Sequence, residues 1–148
     1  MRRHLPRKQK GAVAIEFALV FSIFFAVFYG IVSYSIPLLL MQSFNEATAE
    51  AVRRSVALDP NTNNYPTALV ALANSVLQQQ LSWVPNAFNI TYGNGGDAKA
   101  VYSAGVLTAS VNYPTSKLNQ VIPFLVLPGV GSVPSLPVNL SAQSSLQF

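Results

Sequence analysis

The chain has 148 residues, 51% of them hydrophobic and only 9% charged; that leaves room for one small domain and one spanning segment and falls well short of the ~25% charge usual in soluble domains. The net charge of +4 belongs to the N-terminus, because Arg2, Arg3, Arg7, Lys8 and Lys10 precede Gly11 while Arg53, Arg54, Lys99 and Lys117 face five acids in the remainder, and no basic patch is left for nucleic acid. Cysteine is absent and the only histidine is His4, which excludes disulfides, Cys-based metal sites and, after Gly11, any His-based catalysis or ligation.

From Ala12 to Met41 the only ionisable acid or base other than tyrosine is Glu16. About 20 apolar residues cross a bilayer core, so this run predicts a membrane helix. A cleavable secretory signal would have an apolar region of about 7–15 residues followed by a small-residue cleavage site. This run is far longer, carries a carboxylate and passes without a break into a helical pattern. The basic residues lie before the helix and the next positive charges are Arg53 and Arg54. The positive-inside rule therefore places the N-terminus in the cytoplasm and everything beyond about Met41 outside.

Glu16 demands a reason. An acid at the centre of a spanning helix costs about 2.5–3.5 kcal/mol on insertion scales, and less near the interface. Snorkelling to headgroups is the bland explanation; a waiting cation is the functional one. Cleavage after Gly11 would make Ala12 the new N-terminus, with an amine (ordinary pKa about 7.7–8.0) that is largely positive at neutral pH. Glu16 would then be fifth in the mature chain, just over one helical turn from that amine. It can neutralise its own terminus or that of a neighbouring subunit. A paired charge is far cheaper in a low dielectric than a lone one.

The segment Lys10-Gly11-Ala12-Val13-Ala14-Ile15-Glu16-Phe17 resembles the prepilin peptidase site of type IV pilins and pseudopilins, in which a basic leader ends in Gly and Glu stands fifth in the product. The longer string GAVAIEFALVF, running on into NEATAEAVRRSV, is most similar to the TadE-like family, minor pseudopilins of the tight-adherence (Flp) pilus system. The resemblance covers Gly11 to about Val56. It implies cleavage between Gly11 and Ala12, recognition through Glu16 and Phe17, and prepilin peptidase, other pilins and pseudopilins, the inner-membrane assembly platform and membrane lipid as partners. It implies no cofactor and no enzymatic activity. Major Flp pilins are much shorter, which favours the minor role.

Pro37 removes one backbone hydrogen bond and predicts a kink or an end of the span there. Helical pattern resumes at once. Leu40, Met41, Phe44, Ala47, Thr48, Ala51, Val52 and Val56 share one face, with Glu46, Glu50 and Arg53 opposite. Glu50 can pair with Arg53 or Arg54. Glu46 and Glu50, lacking a third acid or a His nearby, read as a solvated face rather than a metal pair. Asp59 to Asn64 is a turn. Pro66 then opens an amphipathic helix that buries Leu69, Leu72, Ala73, Val76 and Leu77 and ends near Ser82, before Pro85 biases Val84 away from helix.

Beyond Pro85 the period becomes two. Phe88, Ile90 and Tyr92 predict a strand and Gly93 to Asp97 a turn. Val106 to Tyr113 predicts a second strand with Leu107, Ala109, Val111 and Tyr113 on one face. Gly129 to Pro137 reads as punctuation, and Val138, Leu140, Ala142, Ser144 and Leu146 as a last strand. The apolar, proline-punctuated stretch Val121 to Pro128 reads as a loop, too short to span a membrane. The run Ala109 to Pro114, that loop and the last strand also resemble, more loosely, the extracytoplasmic part of TadE-like proteins. Asn89-Ile90-Thr91 and Asn139-Leu140-Ser141 fit the glycosylation pattern, but a prepilin signature implies a prokaryote, so both read as chance matches.

The expected architecture is α+β: a leader (1–11), a transmembrane helix (12–41) and an extracytoplasmic domain (42–148) with a second helix and a short antiparallel sheet. A structural assembly protein of the inner membrane, single-pass with its domain outside, fits this best. Such a role needs lateral helix contacts, and Ala14, Ala18, Ser22, Ala26 and Gly30 recur at four-residue spacing, a ridge that permits close approach. The alternative is an uncleaved, signal-anchored envelope protein that binds a partner or the cell wall; cleavage discriminates the two. A membrane-anchored enzyme would have to use a Ser–Lys arrangement at Lys99 or Lys117, and no spacing recommends one.

Overall fold

The computed structural model describes residues 9–127, 129 and 131–148. The basic leader residues Arg2, Arg3, Arg7 and Lys8, together with His4, lie outside the described residues, as do Pro128 and Val130 in the apolar stretch. The chain is α+β. A long helix α1 (Gln9–Ser55) is followed by α2 (Tyr65–Gln80), a 3-10 turn (Asn86–Phe88), β1 (Ala98–Ser103), β2 (Val106–Pro114), a short α3 (Thr115–Leu118), β3 (Leu125–Leu127), β4 (Gly131–Val133) and β5 (Asn139–Gln147).

The 47 residues of α1 span about 70 Å. They fall into two regimes. Every side chain from Gly11 to Phe28 is exposed, and burial begins only at Ser33 and Pro37. From there Leu40, Phe44, Ala47, Thr48, Ala51, Val52 and Ser55 enter the core. Pro37 does not end the helix: α1 passes through it to Ser55. Packing on the following residues offsets the lost hydrogen bond. Val56, expected on the buried face, is 57% exposed, because the helix has ended and the chain turns away. Ser55 is buried instead, its hydroxyl satisfied by the Ala51 carbonyl at 2.7 Å.

α2 starts after Asn64, which takes a left-handed conformation, with Pro66 in the first turn where its missing N–H costs nothing. It buries Leu69, Ala73, Val76 and Leu77; Leu72 is only partly buried against them. The sheet is antiparallel in the order β1-β2-β5. β2 is central, and its pairs run from Val106↔Gln147 to Pro114↔Asn139 on one side and from Ser103↔Val106 to Ala98↔Val111 on the other. One sheet face, Ala98, Ala100, Leu107, Ala109, Val111, Tyr113, Leu140 and Ala142, is buried. The two helices cover it. Phe44 and Tyr113 meet across this layer with ring centroids 5.9 Å apart. The opposite face carries polar pairs such as Thr108–Ser145 and Ser141–Asn112.

Three strand expectations need correction. Phe88 to Tyr92 is not a strand: Asn86–Phe88 is a 3-10 turn and Asn89 is left-handed (φ 51°), which breaks the extended run, and only an isolated bridge joins Tyr92 to Ala98. Phe88 is buried in the core, and the buried Tyr113 hydroxyl holds the turn by donating to the Phe88 carbonyl at 2.8 Å. The partner of β2 is β1, joined through Ala104 and Gly105, both at positive φ, as a two-residue hairpin turn requires. The Gly93–Asp97 turn instead closes a compact loop, in which a Cβ on Gly96 would lie 2.8 Å from the Thr91 carbonyl oxygen. The apolar stretch from Val121 is not wholly loop, since β3 pairs with β4 inside what reads as punctuation. In β5, Leu140 and Ala142 are buried, but Val138 precedes the strand and is 82% exposed, and Leu146 is exposed at its end.

Candidate functional site

The candidate residues lie on the bare half of α1. This helix is long and apolar enough to cross a membrane, and its most apolar stretch is unburied. It is compatible with a single-pass membrane anchor. Gly11 and Ala12 sit in the first described turn, with Glu16 one turn further on, all exposed. Glycine in a helix interior costs about 1 kcal/mol relative to alanine. Nothing lies within 4 Å of where a Cβ on Gly11 would stand, so the fold itself gives no packing reason for a glycine there. Among the described residues Glu16 enters no ion pair; those present are Glu50 with Arg53 and Arg54, and Asp97 with Lys117.

The small-residue row is open as well. Ala14, Ala18, Ser22 and Ala26 are exposed and Gly30 is half-buried. Ser22 returns its hydroxyl to the Ala18 carbonyl at 2.7 Å, so the ridge presents no unsatisfied hydroxyl. One residue behind it runs a second four-residue ridge that is easy to overlook in the sequence: Phe17, Phe21, Phe25 and Tyr29 stack successively at 6.0, 6.3 and 6.3 Å. Phe17, read as a recognition residue, opens this ladder. The helix therefore carries a low ridge beside a high one, the relief that ridges-into-grooves packing uses.

The polar clusters of the domain are structural. Glu50 is gripped by Arg53 (2.7 and 2.8 Å) and by Arg54 (2.6 Å); hydrogen bonds first from Arg53 and then from Arg54 bring its carboxyl down to about 2. Arg54 also reaches Gln79 of α2 at 3.2 Å, so this cluster ties the two helices. Glu46 is exposed, and no group of three metal-ligating side chains occurs among the described residues. Lys117 is engaged by Asp97 at 2.6 Å and by the Asn89 carbonyl at 3.0 Å. Above it Tyr113 is pushed up to about 12, by burial first and then by the Asp97 charge.

Comparison with known families matches residues 11–53 to the TadE family, described as TadE-like protein. Neither the curated proteins nor the solved structures gave a match. The matched segment begins at the glycine of the candidate cleavage site and ends at the arginine that clasps Glu50, so it takes in both the bare and the packed half of α1. The chain carries a TadE-like segment over residues 11–53, consistent with a TadE-like protein of the tight-adherence system; the family suggests involvement in the Tad pilus and association with its machinery.

Proposed function

We propose that the chain is a minor pilin or pseudopilin of a Flp-type pilus, inserted in the bacterial inner membrane with its N-terminus in the cytoplasm and its domain outside. On this reading residues 1–11 are a leader, the span lies within 12–41 and residues 42–148 form the extracytoplasmic domain. Prepilin peptidase cuts between Gly11 and Ala12. The observation that carries the reading is the coincidence, on one unburied apolar helix inside the matched segment, of an exposed glycine with no packing role and an exposed carboxylate five residues later. Glycine also makes the turn around the scissile bond cheaper to unwind, by about the 1 kcal/mol that separates it from alanine.

Cleavage creates the charge that Glu16 lacks. The new amine at Ala12 and the Glu16 carboxylate are four residues apart, a rise of about 6 Å on the same helix flank. In lipid or in a packed helix bundle the pair is stable where the lone carboxylate is costly. The row Ala14, Ala18, Ser22, Ala26 and Gly30 supplies the close approach to neighbouring pilin helices. Glu16→Ala tests the assignment. Insertion and cleavage are expected to stay normal while pilus assembly falls; unchanged piliation would reject a pairing role for Glu16.

A further inference from the structure

The sheet β1-β2-β5 has two edges, and the chain treats them differently. Hydrogen-bonded pairs alternate along an antiparallel ladder. On one side of β2 the Asn112 N–H donates to the Asp97 carbonyl at 2.7 Å; on the other the Phe148 N–H donates to the Gly105 carbonyl, also at 2.7 Å. Carried along the two registers, this alternation turns the backbone groups of Ala98, Ala100 and Tyr102 outward on β1. On β5 it turns out those of Asn139, Ser141, Gln143, Ser145 and Gln147.

An open edge is a template for another strand. β1 is blunted. The Ala98 N–H donates to the Thr91 carbonyl and the Ala98 carbonyl accepts from the Gly93 N–H, both at 2.9 Å; Asn74 Oδ1 takes the Ala100 N–H at 2.8 Å. β5 has no such cover. It ends the sheet, and among the described residues its outward N–H and C=O groups have no hydrogen-bond partner. Its nine residues contain no proline, no charge and no bulge, the devices that guard an edge. Beside its first residues opens an apolar groove of about 350 Å³, lined mainly by Tyr34, Leu38 and Met41 of α1 with Leu136 and Leu140. Val138, next to it, is 82% exposed. A strand added here lays its main chain on the edge and an apolar side chain in the groove. No Asp, Glu, Lys, Arg or His follows Lys117, so the edge offers nothing to a charged segment.

A second copy does not fit this edge. Met41 shares the groove with Leu140, and further on Thr48 meets Ser144 at 3.2 Å, a rise of about 10 Å on the helix and about 13 Å on the strand. α1 and β5 therefore run side by side in the same direction. Antiparallel pairing of β5 with its own copy is a half-turn about an axis normal to the sheet; it reverses α1 and sends the two spans opposite ways. A half-turn about the strand direction sets N–H level with N–H, where a parallel ladder needs slanted N–H to C=O bonds. Pairing with the β1 of a copy meets the groups already taken at Ala98 and Ala100. We infer that the β5 edge receives an extended, uncharged segment of a different polypeptide, which joins the sheet by strand addition and seats an apolar side chain in the groove. The exclusion of a copy rests on α1 being the membrane span.

Photocrosslinking of the full chain, in the cells that make it, tests this. The photoreactive residue p-benzoylphenylalanine replaces Gln143, and adducts are sized and identified by mass spectrometry. Ser145→Pro is added to the same chain, because proline at an outward position removes an edge N–H and spares the pairing with β2; Ser145→Ala is the control. The urea midpoint in detergent reports whether the fold is kept. Should Ser145→Pro lower it, Ser145→Lys, which guards the edge with a charge, takes its place. The expected result is an adduct with a different chain that persists in Ser145→Ala and is lost in Ser145→Pro or Ser145→Lys. No adduct, or one that survives the edge substitution, overturns the inference. An adduct of two copies overturns it as well. Retention of the chain in carbonate-washed membranes then leaves the span standing, whereas its extraction puts the span reading at fault.

Discussion

Asp97 holds together the part of the domain that has least regular structure. Its Oδ2 accepts from the Thr91 N–H and hydroxyl, both at 2.8 Å, and from Lys117 at 2.6 Å. Its side chain is 8% exposed and that of Lys117 24%. Asp97→Asn keeps the shape and one acceptor but removes the charge. A hydrogen bond to a charged group contributes about 1.5–3 kcal/mol; Lys117 is partly hydrated and keeps the Asn89 carbonyl, so a loss of about 1–2 kcal/mol is expected for the variant. The sign with pH follows. Burial alone would raise the Asp97 carboxyl, but Lys117 and the two Thr91 bonds outweigh it and hold it below its ordinary value. Its stabilisation is therefore complete above the ordinary carboxylate range of about 4 and is lost as pH falls through the lower folded value. Urea unfolding of the full chain in detergent, followed by Trp83 fluorescence at neutral pH and at successive acid values, measures the difference. The two proteins are expected to differ at neutral pH and to converge in strong acid. Equal stability at neutral pH, or a gap that persists unchanged into acid, would refute the reasoning.

Two further substitutions probe the layers. Phe44→Ala removes a fully buried ring in contact with Tyr113 and is expected to cost about 3–5 kcal/mol, read as a lower urea midpoint in the same detergent assay. Asn74→Ala frees the N–H of Ala100 on the edge strand β1, which Asn74 Oδ1 now accepts at 2.8 Å; faster hydrogen exchange at Ala100 and a loss of about 1 kcal/mol are expected.

The elements with a clean period could be read from sequence. The bare half of α1 needs only its apolar run, its packed half and α2 show apolar side chains three and four residues apart, and β2 alternates strictly. What escaped was set by tertiary contact. β1 (Ala-Lys-Ala-Val-Tyr-Ser) buries two alanines, too small to signal a strand, and it turns through Ala104, an uncommon residue at positive φ. Phe88, Ile90 and Tyr92 alternate like a strand, yet Phe88 is buried from a 3-10 turn whose carbonyl Tyr113 holds from a distant strand. The candidate site divides in the same way. Glu16 stands out as the lone carboxylate of an apolar run and the small-residue row by its four-residue spacing, while Gly11, Ala12 and Phe17 are singled out through the prepilin resemblance; the tie from Tyr29 to Pro123, by contrast, joins residues 94 apart in sequence. No local pattern announces that a proline-rich loop returns to the bare half of α1.

The account turns on whether the first eleven residues are removed. Intact-mass and N-terminal peptide analysis of the protein, isolated from cells with and without prepilin peptidase, measures this directly. A mature chain beginning at Ala12, seen only when the peptidase is present, is the predicted result. An uncleaved N-terminus in peptidase-containing cells, or a mature terminus at any other residue, would contradict the assignment of Gly11 and leave Glu16 without the partner proposed for it.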